Sequence, residues 1–378
     1  MTHRTLSPWP ASERARVLQA ELLAAIQNDD GPAVLDAMAR GAEPLGSCGE
    51  GLSGIGAAAY AAAPAALGAM SAFAAGQERL LELSALMLAA NSRPGSVECL
   101  KILIAAGFDP KTADRTGDTA FIHAAQGGAL EALLFLLPLS DPLHSNKEGC
   151  DALMMAARQK HVECVRALLS ICDPRRKNGQ GHCALSFSIG PDSTERLACF
   201  ELLLPVSDLG APPGEHCRPL FKAASFSAAA LRRILPRIPR EAVIASNSSG
   251  SSTLFCAMAN RNAPALDLLC PFFLPHPQLW ASSDDQASFF QILLRSIQRS
   301  QGEGRFIDSD WRVLDALLPL STPDEQAFAW RLFASSGLSP DAAPRLGARM
   351  ERRSISGALP LGPCPASDAP SSERVLRL

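Results

Sequence analysis

A chain of 378 residues with a formal net charge of −3 has room for several domains or one repeating array, and it lacks the bulk basic field that recruits nucleic acid. Hydrophobic residues make up 47% but aromatic ones only 6%, with 16 Phe and a single Tyr. The core must therefore be built from Leu, Ala and Val, which suits closely packed helices better than a sandwich of sheets. The 11 cysteines are odd in number and form no C-x-x-C pair. Cys99, Cys164 and Cys199 lie within apolar helical stretches, where a thiol acts as a small hydrophobe, so free thiols and a reducing, cytoplasmic compartment are expected. The opening "MTHRTLSPWPASERARVLQAELL" contains no apolar run long enough for a signal peptide.

Residues 1–18 read as an N-terminal arm and 19–44 as a first helical unit. Residues 45–80 include "GLSGIGAAAYAAAPAALGAMSAFAAG" (51–76), which is uncharged over a length that could span a bilayer. Ala, Gly and the internal Pro64 replace the Leu, Ile and Phe that membrane insertion rewards. The expectation is an Ala-rich helical insertion or decayed repeat, not a membrane span.

From residue 81 a short string recurs: "SALMLAA" (84–90), "TAFIHAA" (119–125), "DALMMAA" (151–157), "CALSFSI" (183–189), "RPLFKAA" (218–224) and "STLFCAM" (252–258). A second string follows most copies, as in "VECLKILIAAGFDP" (97–110) and "VECVRALLSICDP" (162–174). Asp114, Asn146 and Asn178 precede successive copies at a spacing of 32 residues, and Asn247 precedes the last. The opening Thr, Asp or Ser caps a first helix. Val162, Val165, Leu168 and Leu169 form the apolar stripe of a second. Neither helix is long enough to persist alone, so each unit must bury its apolar face on the next.

A period near 33 with this motif resembles the ankyrin repeat, whose signature is T-P-L-H-x-A followed by a second helix and a Gly-Ala-Asp turn. Ser84, Thr119, Asp151 and Ser252 match its opening position, and Pro219 its proline. Leu86, Leu153, Leu185, Leu220 and Leu254 match its leucine; "AAGFDP" (105–110) and "ARGAEP" (39–44) match its closing turn. The resemblance covers residues 19–44 and 81–281. It implies an all-α ankyrin solenoid of stacked helix-turn-helix units with short hairpin fingers. On this reading 19–44 is an N-terminal cap, 81–281 holds six repeats, 282–350 is a divergent helical repeat and cap, and 351–378 is a disordered tail.

The sequence also departs from the family pattern. The motif's histidine slot holds Met87, Ile122, Met154, Ser186, Phe221 and Phe255, so apolar packing is expected to replace its ties and the fingers to be looser. "GPDSTER" (190–196) is an insertion expected to lengthen the loop between the helices of its unit.

No nucleophile elbow, P-loop, G-x-G-x-x-G loop or H-E-x-x-H motif occurs, so neither catalysis nor a cofactor is expected. His182, Cys183, His216 and Cys217 lack zinc-ligand spacing and read as turn residues. His123 reads as a packed histidine and His161 as structural. "RRK" (175–177) and "LRRILPRIPR" (231–240) carry no interleaved aromatics and read as solvated.

The resemblance implies a non-catalytic, monomeric protein-binding scaffold that uses the concave face of the array and binds neither nucleic acid nor membrane. The alternative is a secreted bacterial effector acting in a host cell, with an activity in 282–350. Positions that face solvent in the family correspond to Arg115, Thr116, Asp118 and Gln126, then Lys147, Glu148, Arg158 and Gln159, then Lys177, Gln180 and His182. Stacking would align Arg115, Lys147, Arg158 and Lys177 in a mildly basic strip suited to a partner with an acidic patch.

Overall fold

The computed structural model describes residues 11–46, 52–74, 85–90, 96–209, 218–246 and 251–273. The chain divides into two compact units, Met1–Ser248 and Ser249–Leu378.

In the first unit the described helices come in pairs: α1 (Ala11–Gln27) with α2 (Gly31–Ala39), α3 (Gly54–Ala61) with α4 (Pro64–Ala74), and α5 (Ala85–Ala89) with α6 (Ser96–Ala105). They continue as α7 (Ala120–Gly127) with α8 (Leu130–Leu136), α9 (Ala152–Gln159) with α10 (Val162–Leu168), α11 (Ala184–Ser188) with α12 (Thr194–Leu203), and α13 (Arg218–Phe226) with α14 (Ala228–Ile234). First helices pack in one row from α1 to α13, and second helices in a parallel row from α2 to α14. A short helix, α15 (Arg240–Ile244), follows. No strand longer than an isolated bridge occurs among the described residues, so the chain there is helical, as the repeat pattern requires.

Helix starts follow the motif. The side chains of Thr119, Asp151 and Ser252 each accept the N–H three residues on, at 3.5, 2.9 and 3.1 Å, filling an N–H that the helix itself leaves unpaired. Helix α9 is buried along Ala152–Ala157 because α7, α10 and α11 surround it. The Ala156–Ala157 pair supplies the close approach. On the second-helix row, Val165 and Leu168 are 0% exposed, each burial stabilising by about 1.5–3 kcal/mol.

The Ala-rich stretch sits within the same two rows. Helix α3 packs between α1 and α5, and α4 between α2 and α6. Residues Gly54–Ala59 are all buried, since small side chains let α3 wedge between its neighbours. The Asp29 carboxylate of the preceding pair accepts the Ala66 N–H at 2.9 Å and so caps α4. No described helix is long and apolar enough to cross a membrane.

Two expectations are corrected. Helix α1 begins at Ala11, inside the stretch read as an arm, because Leu18, Leu22, Ala25 and Ile26 make one buried stripe. The 190–196 insertion does more than lengthen a loop. Helix α11 stops at Ser188, with Ile189 extended, and the end of the insertion forms the start of α12 under a Ser193 cap.

In the second unit α16 (Thr253–Ala259) pairs with α17 (Ala263–Phe273) and buries Leu254, Leu266 and Leu269. The helices expected in 282–350 and the tail of 351–378 lie outside the described residues.

Candidate protein-interaction face on the fingers and inner helices

Three fingers are built on one plan. The side-chain Oδ1 of Asp114 accepts the N–H groups of Thr116 and Asp118, at 2.8 and 2.9 Å. Asn146 does the same for Glu148 and Cys150, and Asn178 for Gln180 and His182, all at 2.9 or 3.0 Å. This explains why Asp or Asn recurs at a fixed distance before the motif: only a short side-chain acceptor reaches back into its own turn.

Successive fingers are also joined backbone to backbone. Lys147 N–H donates to Thr116 O, and Gly179 N–H to Glu148 O, both at 3.0 Å. The side-chain amide of Asn146 donates to Asp118 Oδ1 at 2.9 Å, and His144 Nε2 lies 2.9 Å from Gly117 O. Polar ties therefore replace the missing motif histidine. In the slots themselves Met87, Ile122 and Met154 are buried, and Phe221 and Phe255 are half-buried. Ser186, in the same slot, bonds instead to Cys183 O and lies near His182 Nδ1.

His123 is half-buried with Nε2 3.0 Å from Asp114 Oδ2, so it is a satisfied histidine. Burial alone would raise the Asp114 carboxyl, but hydrogen bonds from Thr116, His123 and two backbone N–H groups hold it below the usual carboxylate value. Ligand-type atoms of Asp114, Asp118 and His123 lie within 4.8 Å of one another. Their oxygens are already engaged by Thr116, Asn146 and His123, which makes this group a knot holding two fingers together. His161 is structural: its Nε2 lies 2.9 Å from Gln126 O of the preceding unit. Of the four residues weighed as metal ligands, His216 and Cys217 lie outside the described residues.

Of the residues expected to face a partner, Arg115, Thr116, Lys147, Glu148, Arg158, Gln159, Lys177 and Gln180 are exposed, while Gln126 and His182 are half-buried. Asp118 is not a contact residue. It is 8% exposed, and its carboxylate accepts from Asn146 and Thr116, because it stands on the side of its turn that faces the next finger. Lys147 lies back along its neighbour, donating to Arg115 O at 2.7 Å. The "RRK" cluster is not simply solvated either. Arg176 donates to Leu143 O and the Ser145 hydroxyl of the preceding unit, and Arg175 to Val206 O of the following one.

One group escaped the sequence reading. Phe187 of α11 is half-buried, with the Arg158 guanidinium 6.0 Å and Lys222 Nζ 5.1 Å from its ring centroid. The His182 ring lies tilted at 5.5 Å. Phe187 occupies the fifth place of its motif copy, where neighbouring copies have Met155 and Lys222. That place, one turn into each first helix, was the available signal.

Residues 86–178 match the family model described as ankyrin repeats (3 copies). No curated protein matches. Among solved structures, the ankyrin repeat domain of Bcl-3, described as a unique member of the IkappaB protein family, is similar at 23% identity. That match covers 48% of this chain and 81% of the other, with a TM-score of 0.38. The matched segment spans the helix pairs from α5–α6 to α9–α10 and the finger that leads into α11. Residues 86–178 are therefore similar to a run of three ankyrin repeats.

Proposed function

We propose that this chain is a non-catalytic protein-binding scaffold whose fingers and inner helices grip a partner with an acidic patch. Ankyrin repeats generally mediate protein–protein interaction, and this face has the chemistry for it. The observation that carries the reading is the alignment of three fingers by the Thr116–Lys147 and Glu148–Gly179 backbone bonds. That alignment brings Arg115 and Lys147 to equivalent places on neighbouring fingers, with Lys177 just before the matching turn of the third finger, all three exposed, and Arg158 exposed at the end of an inner helix. Arginine there can engage a carboxylate with two parallel hydrogen bonds while stacking on apolar surface.

The test compares two charge reversals. Arg115→Glu with Lys177→Glu alters the finger face; Arg166→Glu with Arg232→Glu alters exposed positions on second helices. Partner capture from cell lysate, quantified with both variants folded by circular dichroism, should fall for the finger pair and hold for the second-helix pair. Equal capture by the two variants would refute the assignment of the face.

A further inference from the structure

The α11–α12 pair breaks the pattern of its neighbours in a way that shapes a local site. Helix α9 runs on to Gln159 and ends with Arg158 exposed, whereas α11 stops at Ser188. The place equivalent to Arg158 is Gly190, which has no side chain. A Cβ there would meet the Arg196 guanidinium, with Nη1 at 2.8 Å and Cζ at 2.9 Å. Arg196 comes from the insertion, and its Nη1 donates to Phe187 O at 3.4 Å. The insertion thus delivers a second guanidinium to the gap left by the shortened helix.

Three cations from three consecutive helix pairs therefore gather about Phe187: Arg158 of α9 and Lys222 of α13 at its ring, and Arg196 of α12 at its backbone carbonyl. Two of them sit within cation–π range of the ring. The acids of the insertion are directed elsewhere. Asp192 accepts from the Ser227 hydroxyl at 2.5 Å, and Glu195 is fully exposed with hydrogen bonds from Ser193 and Thr194.

The geometry points to a peptide subsite at Phe187, for an acidic segment of a protein partner whose Asp or Glu carboxylates bridge Arg158, Arg196 and Lys222 while an adjacent apolar side chain lies on the ring. This rests on the partner-binding reading above and names the centre of it. Charge complementarity selects the occupant: convergent cations exclude a basic segment, and the ring adds an apolar requirement that a bare polyanion does not meet. Cations pre-positioned by the ring lose less freedom on binding, so they contribute more than equally charged but mobile surface lysines.

The experiment is selection of a random dodecapeptide phage library on the full chain, followed by fluorescence anisotropy of labelled peptides synthesised from the enriched sequences. Enriched peptides should combine Asp or Glu with a large apolar residue. Arg158→Gln with Lys222→Gln should weaken them at least about tenfold, and Phe187→Leu, which keeps an apolar side chain of similar bulk, about three- to tenfold. Arg232→Gln with Arg233→Gln should leave affinity unchanged. Enrichment of neutral or basic peptides, or of none, overturns the subsite. So does binding of phosphatidylserine vesicles or single-stranded oligonucleotide that depends on Arg158 and Lys222 while no acidic peptide is enriched. If acidic peptides tolerate Phe187→Leu and the Arg158/Lys222 pair but are lost with Arg115→Glu and Lys177→Glu, the subsite fails and the finger-face reading stands.

Discussion

Replacing Gly149 by Ala tests the joined fingers directly. Gly149 has φ +78°, a left-handed conformation that costs an L-residue about 1–3 kcal/mol. A Cβ there would also lie 2.9 Å from Gly179 N and 3.3 Å from Asn178 Cα. Both are backbone atoms of the next finger and cannot rotate aside. Relieving the contact stretches the 3.0 Å bond from Gly179 N–H to Glu148 O, which adds about 1–3 kcal/mol for overpacking. Gly107 is the control, because its φ of +98° carries the conformational cost while a Cβ there meets nothing within 4 Å. In urea titrations followed by circular dichroism, Gly107→Ala should lower stability by the conformational cost alone, and Gly149→Ala by both. An unchanged slope in both variants shows that the array still unfolds as one unit. If Gly149→Ala is no more costly than Gly107→Ala, the fingers are not in contact as described and the reasoning fails.

Other consequences follow from the same packing. Leu168→Ala removes a fully buried side chain from the second-helix row and should cost about 2–5 kcal/mol, whereas Arg166→Ala, exposed and 3.5 Å from Glu163, should stay within about 0.5 kcal/mol; equal midpoint shifts would contradict the stacking. The depressed Asp114 carboxyl stabilises the fold above its unfolded pKa and loses that contribution as pH falls through its lower folded value. Asp114→Asn should therefore be less stable than wild type at pH 7, with the gap narrowing below about pH 4, and a gap that widens on acidification would show that the hydrogen-bonded charge is not what matters. Burial pushes the Cys99 thiol up to about 12 and those of Cys164 and Cys199 up to about 11. Mass-spectrometric mapping after iodoacetamide treatment at pH 8 should find these three unmodified in the native chain and modified in denaturant; labelling in the native state as fast as at half-buried Cys183 would refute their burial.

The repeat was legible in the residues themselves because its signals are local. A capping Thr or Asp, an Ala-Ala pair and a Val–Val–Leu stripe each act within one or two helical turns, so Thr119, Asp151 and Leu168 could be placed from their immediate neighbours. The recurrent Asp and Asn at 114, 146 and 178 were visible as a spacing, but their work inside the fingers was not. That work is a hydrogen bond whose geometry exists only once the turn has formed. Within the Ala-rich stretch, Gly54–Ala59 gave no helical stripe, since residues buried on every side have no polar face to mark them; contact with α1 and α5 decided the place of α3. Asp118 was misread because its direction depends on Asn146, 28 residues away. Phe187 was missed because each of its cations comes from a different stretch of the chain, and only the stacking of α9, α11 and α13, with the shortening of α11, brings them to one ring. Local pattern thus determined which segments become helices and that they repeat. The contacts between units, which no single stretch encodes, decided which side chains are shared, which are buried and which converge on one site.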